Sequence, residues 1–227
     1  MSGCDCCPRG NSRAKSPRHD AGGMKLSEAY ATTEQKALGA FYTPGDAAHY
    51  MARWAIRSGD DVVLEPSVGD GAFVRAVEEV AHAQSWQRPT FITSEISWDA
   101  AKEVARAGLL LPGEIYVGDF LTMPIRPASV VIGNPPYVRL RALPDSQAES
   151  ALNAARQDLG RPMETSGSVW MPFVSRAARF LKPGGRLALV LPWDFTYVRY
   201  ARPLWDHLSQ TFGSLRVARV RERLFPD

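Results

Sequence analysis

Cysteine is nearly missing from this 227-residue chain: there are three, Cys4, Cys6 and Cys7, all at the extreme N-terminus. An odd number crowded into Gly, Ser, Pro and basic residues that cannot form a core rules out a disulfide framework. Their C-x-C-C spacing departs from the C-x2-C clip of a zinc site and no second clip follows, so neither they nor His19 are expected to hold a metal. Long apolar runs are missing too. Nothing approaches the ~20 residues of a membrane span, and no hydrophobic segment stands behind the N-terminal charges, so the expectation is a cytosolic chain without membrane anchor or export signal. A large excess of one charge sign is missing as well: a net +3 permits a nucleic-acid partner without demanding one.

What is present suits a globular fold. With 45% hydrophobic and 22% charged residues, the chain can bury one sizeable α/β core. Residues 1–23 read as a disordered tail and 24–227 as the domain, with helical periodicity from Met24 to about Leu38. Thr43-Pro44-Gly45-Asp46 predicts a helix start, with Thr43 as N-cap, Pro44 in the first helical position and Asp46 as the capping-box acid; that helix runs to about Ile56. The pattern then alternates: a strand at Asp61–Leu64, helical spacing through Phe73, Val74, Val77 and Val80, a strand at Thr90–Thr93, and a helix over Trp98–Ala107. Strands at Ile115–Val117 and Val130–Ile132 follow. This rhythm predicts a Rossmann-like α/β fold, a mostly parallel sheet with helices on both faces and ligands at its carboxyl edge. Residues 141–168 predict a loop with a short helix. Beyond them come a helix over Val169–Leu181, stopped by Lys182-Pro183-Gly184-Gly185, a strand at Leu187–Leu191, a helix over Arg202–Phe212 and a strand at Leu215–Val220.

Two constellations carry chemistry. The first is Glu65-Pro66-Ser67-Val68-Gly69-Asp70-Gly71, where a strand breaks into a glycine turn and opens a helix. Gly69 and Gly71 let the backbone approach a ligand closely. A dinucleotide site would want G-x-G-x-x-G, but position 74 is Val, and Glu65 would repel a pyrophosphate and welcome a cation. That points to a ligand with a positively charged amino-acid end, such as S-adenosylmethionine with its ammonium and sulphonium. Glu95, closing the next strand, can accept from both ribose hydroxyls. Asp119, closing the one after, can accept from the adenine amino group while Phe120 packs on the ring.

The second constellation is Val130-Val131-Ile132-Gly133-Asn134-Pro135-Pro136-Tyr137, a buried strand running into a backbone stiffened by two prolines. The Asn134 side-chain oxygen and the Pro135 carbonyl can face the two hydrogens of one amino group, with Tyr137 as a flat surface beside them. An aryl amine's lone pair is conjugated with its ring and must localise before it attacks a methyl on sulphur. Two acceptors on its hydrogens favour that change, so a strong base is not needed.

At these residues the sequence resembles the gamma-class N6-adenine DNA methyltransferases of restriction-modification systems, in which the cofactor motif precedes Asn-Pro-Pro-Tyr. The resemblance runs from about Leu38 to Asp227. Gly39-Ala40-Phe41-Tyr42-Thr43-Pro44 resembles that family's opening motif, which contacts the methionine part of the cofactor. The resemblance implies that Phe41, Tyr42, Thr43, Pro44, Glu65, Gly69 and Gly71 line the cofactor site, and that Glu95 and Asp119 hold the ribose and adenine. It implies that Asn134, Pro135 and Tyr137 receive an adenine flipped out of duplex DNA. Phe225, in Arg223-Leu224-Phe225-Pro226, resembles the phenylalanine that sandwiches that base.

Members of the family continue into a target-recognition domain, and the expectation for this sequence is a catalytic domain without one. It stops at Asp227 without a closing cap, the expectation for a truncated or split form completed by a separate target-recognition or specificity subunit. Clustered Arg216, Arg219, Arg221 and Arg223 can position phosphates without specifying sequence, so weak, unspecific DNA binding is expected. Competing readings are an N5-glutamine protein methyltransferase, which also uses Asn-Pro-Pro-Tyr, an RNA adenine methyltransferase, an N4-cytosine enzyme, and an inactive cofactor-binding fragment.

Overall fold

A computed structural model describes residues 43–220. The N-terminal tail with its cysteines and His19, the expected helix ending near Leu38, the segment through Phe41 and Tyr42, and Arg221, Arg223 and Phe225 lie outside the described residues. The described chain runs α1 (Gly45–Ala55), β1 (Val62–Glu65), α2 (Ala72–Ala83), β2 (Thr90–Glu95), α3 (Trp98–Arg106), β3 (Ile115–Val117), β4 (Ala128–Gly133), α4 (Asp145–Leu159), α5 (Trp170–Phe180), β5 (Leu181–Leu189) and α6 (Arg202–Thr211). Short 3-10 turns fall at Phe120–Thr122, Leu140–Ala142, Trp193–Thr196 and Arg199–Ala201.

The strands form one five-stranded sheet in the order β3-β2-β1-β4-β5, with every neighbouring pair parallel. Successive strand residues point to opposite faces, and both faces are covered. Val63, Phe91, Val130 and Ile132 pack with α1 and α2 through Ala48, Ala52, Phe73 and Val77. Leu64, Ile92 and Val131 face the opposite way, toward Ala151 and Ala155 of α4, Trp170 and Val174 of α5, and Leu204 and Leu208 of α6. Burial on both sides explains why these strands read as short continuous apolar runs. All strands run the same way, but the order in which they are added reverses between β1 and β4, the point at whose carboxyl ends such sheets bind ligands.

The alternation predicted from sequence is present, with four corrections. Thr43 is not the N-cap of α1: Pro44 holds that position with no side-chain cap, so Asp46 closes no capping box. Residues 141–168 hold a 15-residue helix, α4, rather than a short one. Its buried stripe is Ala151, Ala154 and Ala155, too small to raise an apolar signal but suited to close packing on α5, and Gly160 ends it at φ 68°. Lys182-Pro183-Gly184-Gly185 stops α5 yet belongs to β5: Leu181 already pairs with Ala128, and the register then shifts so that Arg186 pairs with Val130. Leu215–Val220 is not a strand. Leu215, Val217 and Val220 stand 42%, 53% and 50% exposed, and no described strand lies beyond β5 to pair with them.

Candidate functional site

The site is built where β1 and β4 end side by side. Past Glu65 the chain turns through Pro66 and Ser67 into Gly69 and Gly71, both at positive φ (53° and 80°), before α2 begins. A side chain at Gly71 would be strained by that φ and would meet Leu109 at 2.7 Å. β4 ends at Gly133, where an added Cβ would press on Pro66 at 3.1 Å. The two segments are also stitched together: Ser67 donates its hydroxyl to the Asn134 carbonyl at 3.0 Å, and the Ser94 hydroxyl donates to the Pro66 carbonyl at 2.7 Å. The glycine turn and the Asn-Pro-Pro-Tyr segment thus form one rigid edge.

Glu65 is 1% exposed. Its Oε2 has no hydrogen-bond partner among the described residues. Burial above all, then the nearby Asp70 and Glu95 carboxylates, push its pKa well above the ordinary range. A carboxyl left in that condition is unfavourable unless something arrives to pair with it.

The other two strand-end acids are already engaged. Glu95 accepts from the Gly69 amide at 3.0 Å through one oxygen and from the Ser97 amide at 2.8 Å through the other, so it shapes the glycine turn. A carboxylate oxygen can accept more than one hydrogen bond, so this does not prevent it from meeting a ribose. Asp119 caps the following 3-10 turn by accepting from Leu121 N at 2.9 Å, and its second oxygen accepts from Ser150 of α4 at 2.9 Å. Phe120 departs from expectation: it is 2% exposed, its ring set against Phe173 at 5.1 Å and Phe180 at 5.6 Å in the core. Among the exposed apolar side chains at this edge is Ile96, directly after Glu95 and 45% exposed. Its signal in the sequence was an apolar residue immediately past a strand-end acid.

In the second motif, the Tyr137 hydroxyl donates to Asn134 Oδ1 at 2.5 Å, and Asn134 Nδ2 donates to the Thr43 hydroxyl at 3.2 Å. The Asn134 amide is therefore held from both ends. Burial raises the Tyr137 phenol far beyond its ordinary pKa, so it stays a donor. Sequence reasoning missed both contacts. The i, i+3 spacing across two prolines was the available signal for the first, whereas Thr43 lies 91 positions away. A cleft of about 400 Å³ lined by Thr43, Asp46, His49, Asp70, Arg75 and Glu79 opens beside the turn, between α1 and α2. Among the described residues no cluster of His, Cys, Asp or Glu could hold a metal, and no helix is long and apolar enough to cross a membrane.

Residues 128–217, from β4 through α6, match the Eco57I restriction-modification methylase family model. The chain is 24% identical over 208 residues to the Type II methyltransferase M.AccI of Acinetobacter calcoaceticus, covering 88% of this chain and 37% of that protein. It is 29% identical over 184 residues to the Type II methyltransferase M.TthHB8I of Thermus thermophilus, covering 74% and 39%. The chain thus spans less than half the length of these relatives. In fold it is similar to a Listeria monocytogenes protein described as a class I S-adenosylmethionine-dependent methyltransferase, with TM-score 0.63 at 17% identity over 83% of this chain and 58% of that one. The matched segment contains Asn134, Pro135 and Tyr137, while Glu65, Gly69 and Gly71 precede it.

Proposed function

We propose that this chain is the catalytic core of an enzyme that transfers a methyl group from S-adenosylmethionine to N6 of adenine in DNA, within a restriction-modification system. The observation that carries the reading is the single edge at β1 and β4: a buried carboxyl with an unmet oxygen stands beside a glycine turn that is bonded to Asn-Pro-Pro-Tyr. The matched segment supports a methylase of restriction-modification type.

The residues fit S-adenosylmethionine. Glu65 is the partner for its ammonium, Gly69 and Gly71 admit close backbone approach, Glu95 stands where a ribose would lie, and Ile96 offers an apolar surface to the adenine. When bound, the cofactor supplies an electrophilic methyl on a sulphonium. The chain's own part is to present a nitrogen. Asn134 Oδ1, aimed by Tyr137 and Thr43, accepts one N6 hydrogen, and the Pro135 carbonyl accepts the other. Both dipoles favour the positive charge that grows on nitrogen as the new bond forms, and Tyr137 gives it an aromatic neighbour. An adenine in duplex DNA reaches such a socket only by leaving its stack, at a cost of a few kcal/mol. Phe41, Tyr42 and Phe225 belong to the reading through the family resemblance alone.

In this reading the sequence of the DNA site is read by a target-recognition domain or specificity subunit, and the protein works in the cytoplasm. The test is transfer of labelled methyl from S-adenosylmethionine to duplex DNA, RNA and protein, with the modified product identified. N6-methyladenine in DNA, lost in Asn134→Ala, is the expected result; label confined to RNA, to protein glutamine or to cytosine defeats the proposal.

A further inference from the structure

The loop that leaves β5 meets the loop that leaves β4 and lays guanidinium groups and aromatic rings side by side next to the candidate site. β5 runs parallel to β4 with Leu189 opposite Gly133, and Val190 N donates to the Gly133 carbonyl at 3.0 Å. Residues 192–201 therefore emerge at the same edge as Asn134–Tyr137. Arg139, two residues past Tyr137, donates to the Tyr200 hydroxyl at 3.4 Å and stands over its ring at 5.7 Å. Arg219 stands over the Trp193 ring at 4.5 Å. Trp193 is 47% exposed and Tyr197 69% exposed, and Arg199 and Arg219 are exposed beside them.

Large exposed rings are unfavourable in water, yet this loop is held firmly. Beneath it Phe195 stacks on Trp205 at 4.6 Å, Trp205 donates its indole N–H to the Phe195 carbonyl at 3.0 Å, and Trp170 meets Phe195 at 6.0 Å. The buried layer fixes the loop so that Trp193 and Tyr197 stay on the outside. The segment from Val190 to Arg202 has one acid, Asp194, against Arg199 and Arg202, and Arg139 and Arg219 reach it from either side. Arg139 uses Nη1 for the Tyr200 hydroxyl and the Ser166 carbonyl, which leaves Nε and Nη2 to donate to phosphate oxygens, and an exposed ring offers a π-face to any base.

From this placement we infer that the surface formed by Arg139, Trp193, Tyr197, Arg199, Tyr200 and Arg219 binds the DNA strand on either side of the target base. The arginines take phosphates and Tyr197 takes the face of an unstacked base. The inference rests on the DNA reading above. It divides the labour within the chain: Asn-Pro-Pro-Tyr holds one base, and this surface holds the backbone without reading sequence.

The test is fluorescence anisotropy of a labelled 20-bp mixed-sequence duplex with the whole chain at low salt, repeated across a salt series. In Arg139→Gln/Arg219→Gln, Kd should rise about tenfold, and the slope of log K against log salt should fall by about two, since each lost phosphate contact removes about 0.9. Tyr197→Ala should weaken binding about tenfold with the salt slope unchanged, as loss of base stacking does. Thermal unfolding unchanged in both variants establishes that they are folded. Wild-type binding in both variants, no duplex binding by the unaltered chain, or binding to RNA that duplex DNA cannot displace overturns the inference. Methyl transfer to DNA with unaltered variant binding defeats the surface alone, whereas transfer only to protein or RNA defeats the functional reading beneath it.

Discussion

The two ends of β1 each carry a buried acid, and the chain treats them oppositely. Just before the amino end, Asp61 is 6% exposed and fully engaged. Arg186 donates to it at 2.6 Å, the Ser129 hydroxyl at 2.7 Å, and the Arg57 and Ser58 amides at 2.8 and 3.2 Å. Burial alone would raise its pKa, but those donors outweigh it and hold the carboxyl below its ordinary range. At the carboxyl end Glu65 is buried more deeply, with one oxygen unmet and its pKa pushed up. The first acid closes a structural network linking β1, β4 and β5. The second keeps an oxygen with no partner among the described residues, and in the proposed function that oxygen is what a cationic ligand would meet; a satisfied buried acid at one end of the strand and an unsatisfied one at the other separate architecture from candidate function.

Substitutions sharpen the contrast. The largest effect is expected at the motif joined to Glu65's turn: Asn134→Ala should slow methyl transfer by about 10²–10³-fold with the cofactor still bound, as loss of one transition-state contact does. A single-turnover assay reads this; rates near wild type would remove Asn134 from the chemistry. Next comes Asp61→Ala, which leaves the Arg186 charge buried and unmatched and should destabilise the fold by about 3 kcal/mol, measured by urea unfolding. A loss below about 1 kcal/mol would mean that the network is no keystone.

Glu65→Gln should act in the other direction on stability. Because the folded pKa of Glu65 is raised above its unfolded value, the folded chain binds more protons in the interval between them, so stability falls as pH rises through that interval. Removing the acid should raise Tm by about 2–4 °C at pH 8 without cofactor, corresponding to roughly 1 kcal/mol, and leave it unchanged at pH 4. An equal Tm at both pH values in the two proteins would contradict the assignment. The smallest effect is expected at Thr43: Thr43→Val removes the acceptor that orients Asn134 and should lower kcat about threefold with cofactor affinity intact, while Thr43→Ser restores it. A change in cofactor Kd alone would place Thr43 on the cofactor rather than on Asn134.

Much of this edge was legible in the sequence because its signals are local. Apolar runs ending in Glu65, Glu95 and Gly133 gave the parallel sheet, and Gly69, Gly71 and the paired prolines marked where the backbone must be special. The misreadings have local causes too. The α4 stripe is alanine and carries little hydrophobic contrast, and Leu215–Val220 alternates like a strand but finds no pairing partner. Phe120 follows a strand-end acid as a ligand-facing ring might, but an aromatic residue within reach of Phe173 and Phe180 gains more from the core. The Thr43–Asn134 and Ser67–Asn134 bonds join residues far apart in the chain, and only tertiary structure could reveal them. The engagement of Asp119 by Ser150 is of the same kind.

The most direct test of the Glu65 assignment is calorimetric titration with S-adenosylmethionine at several pH values, each in two buffers of different ionisation enthalpy. A carboxyl kept neutral by burial must give up its proton to pair with the ligand's ammonium. Binding should therefore release protons at pH values below the raised free-state pKa of Glu65, affinity should rise as pH rises toward that pKa, and Glu65→Gln should bind weakly without proton release. Equal affinity in Glu65→Gln, with no protons exchanged by either protein, would contradict it.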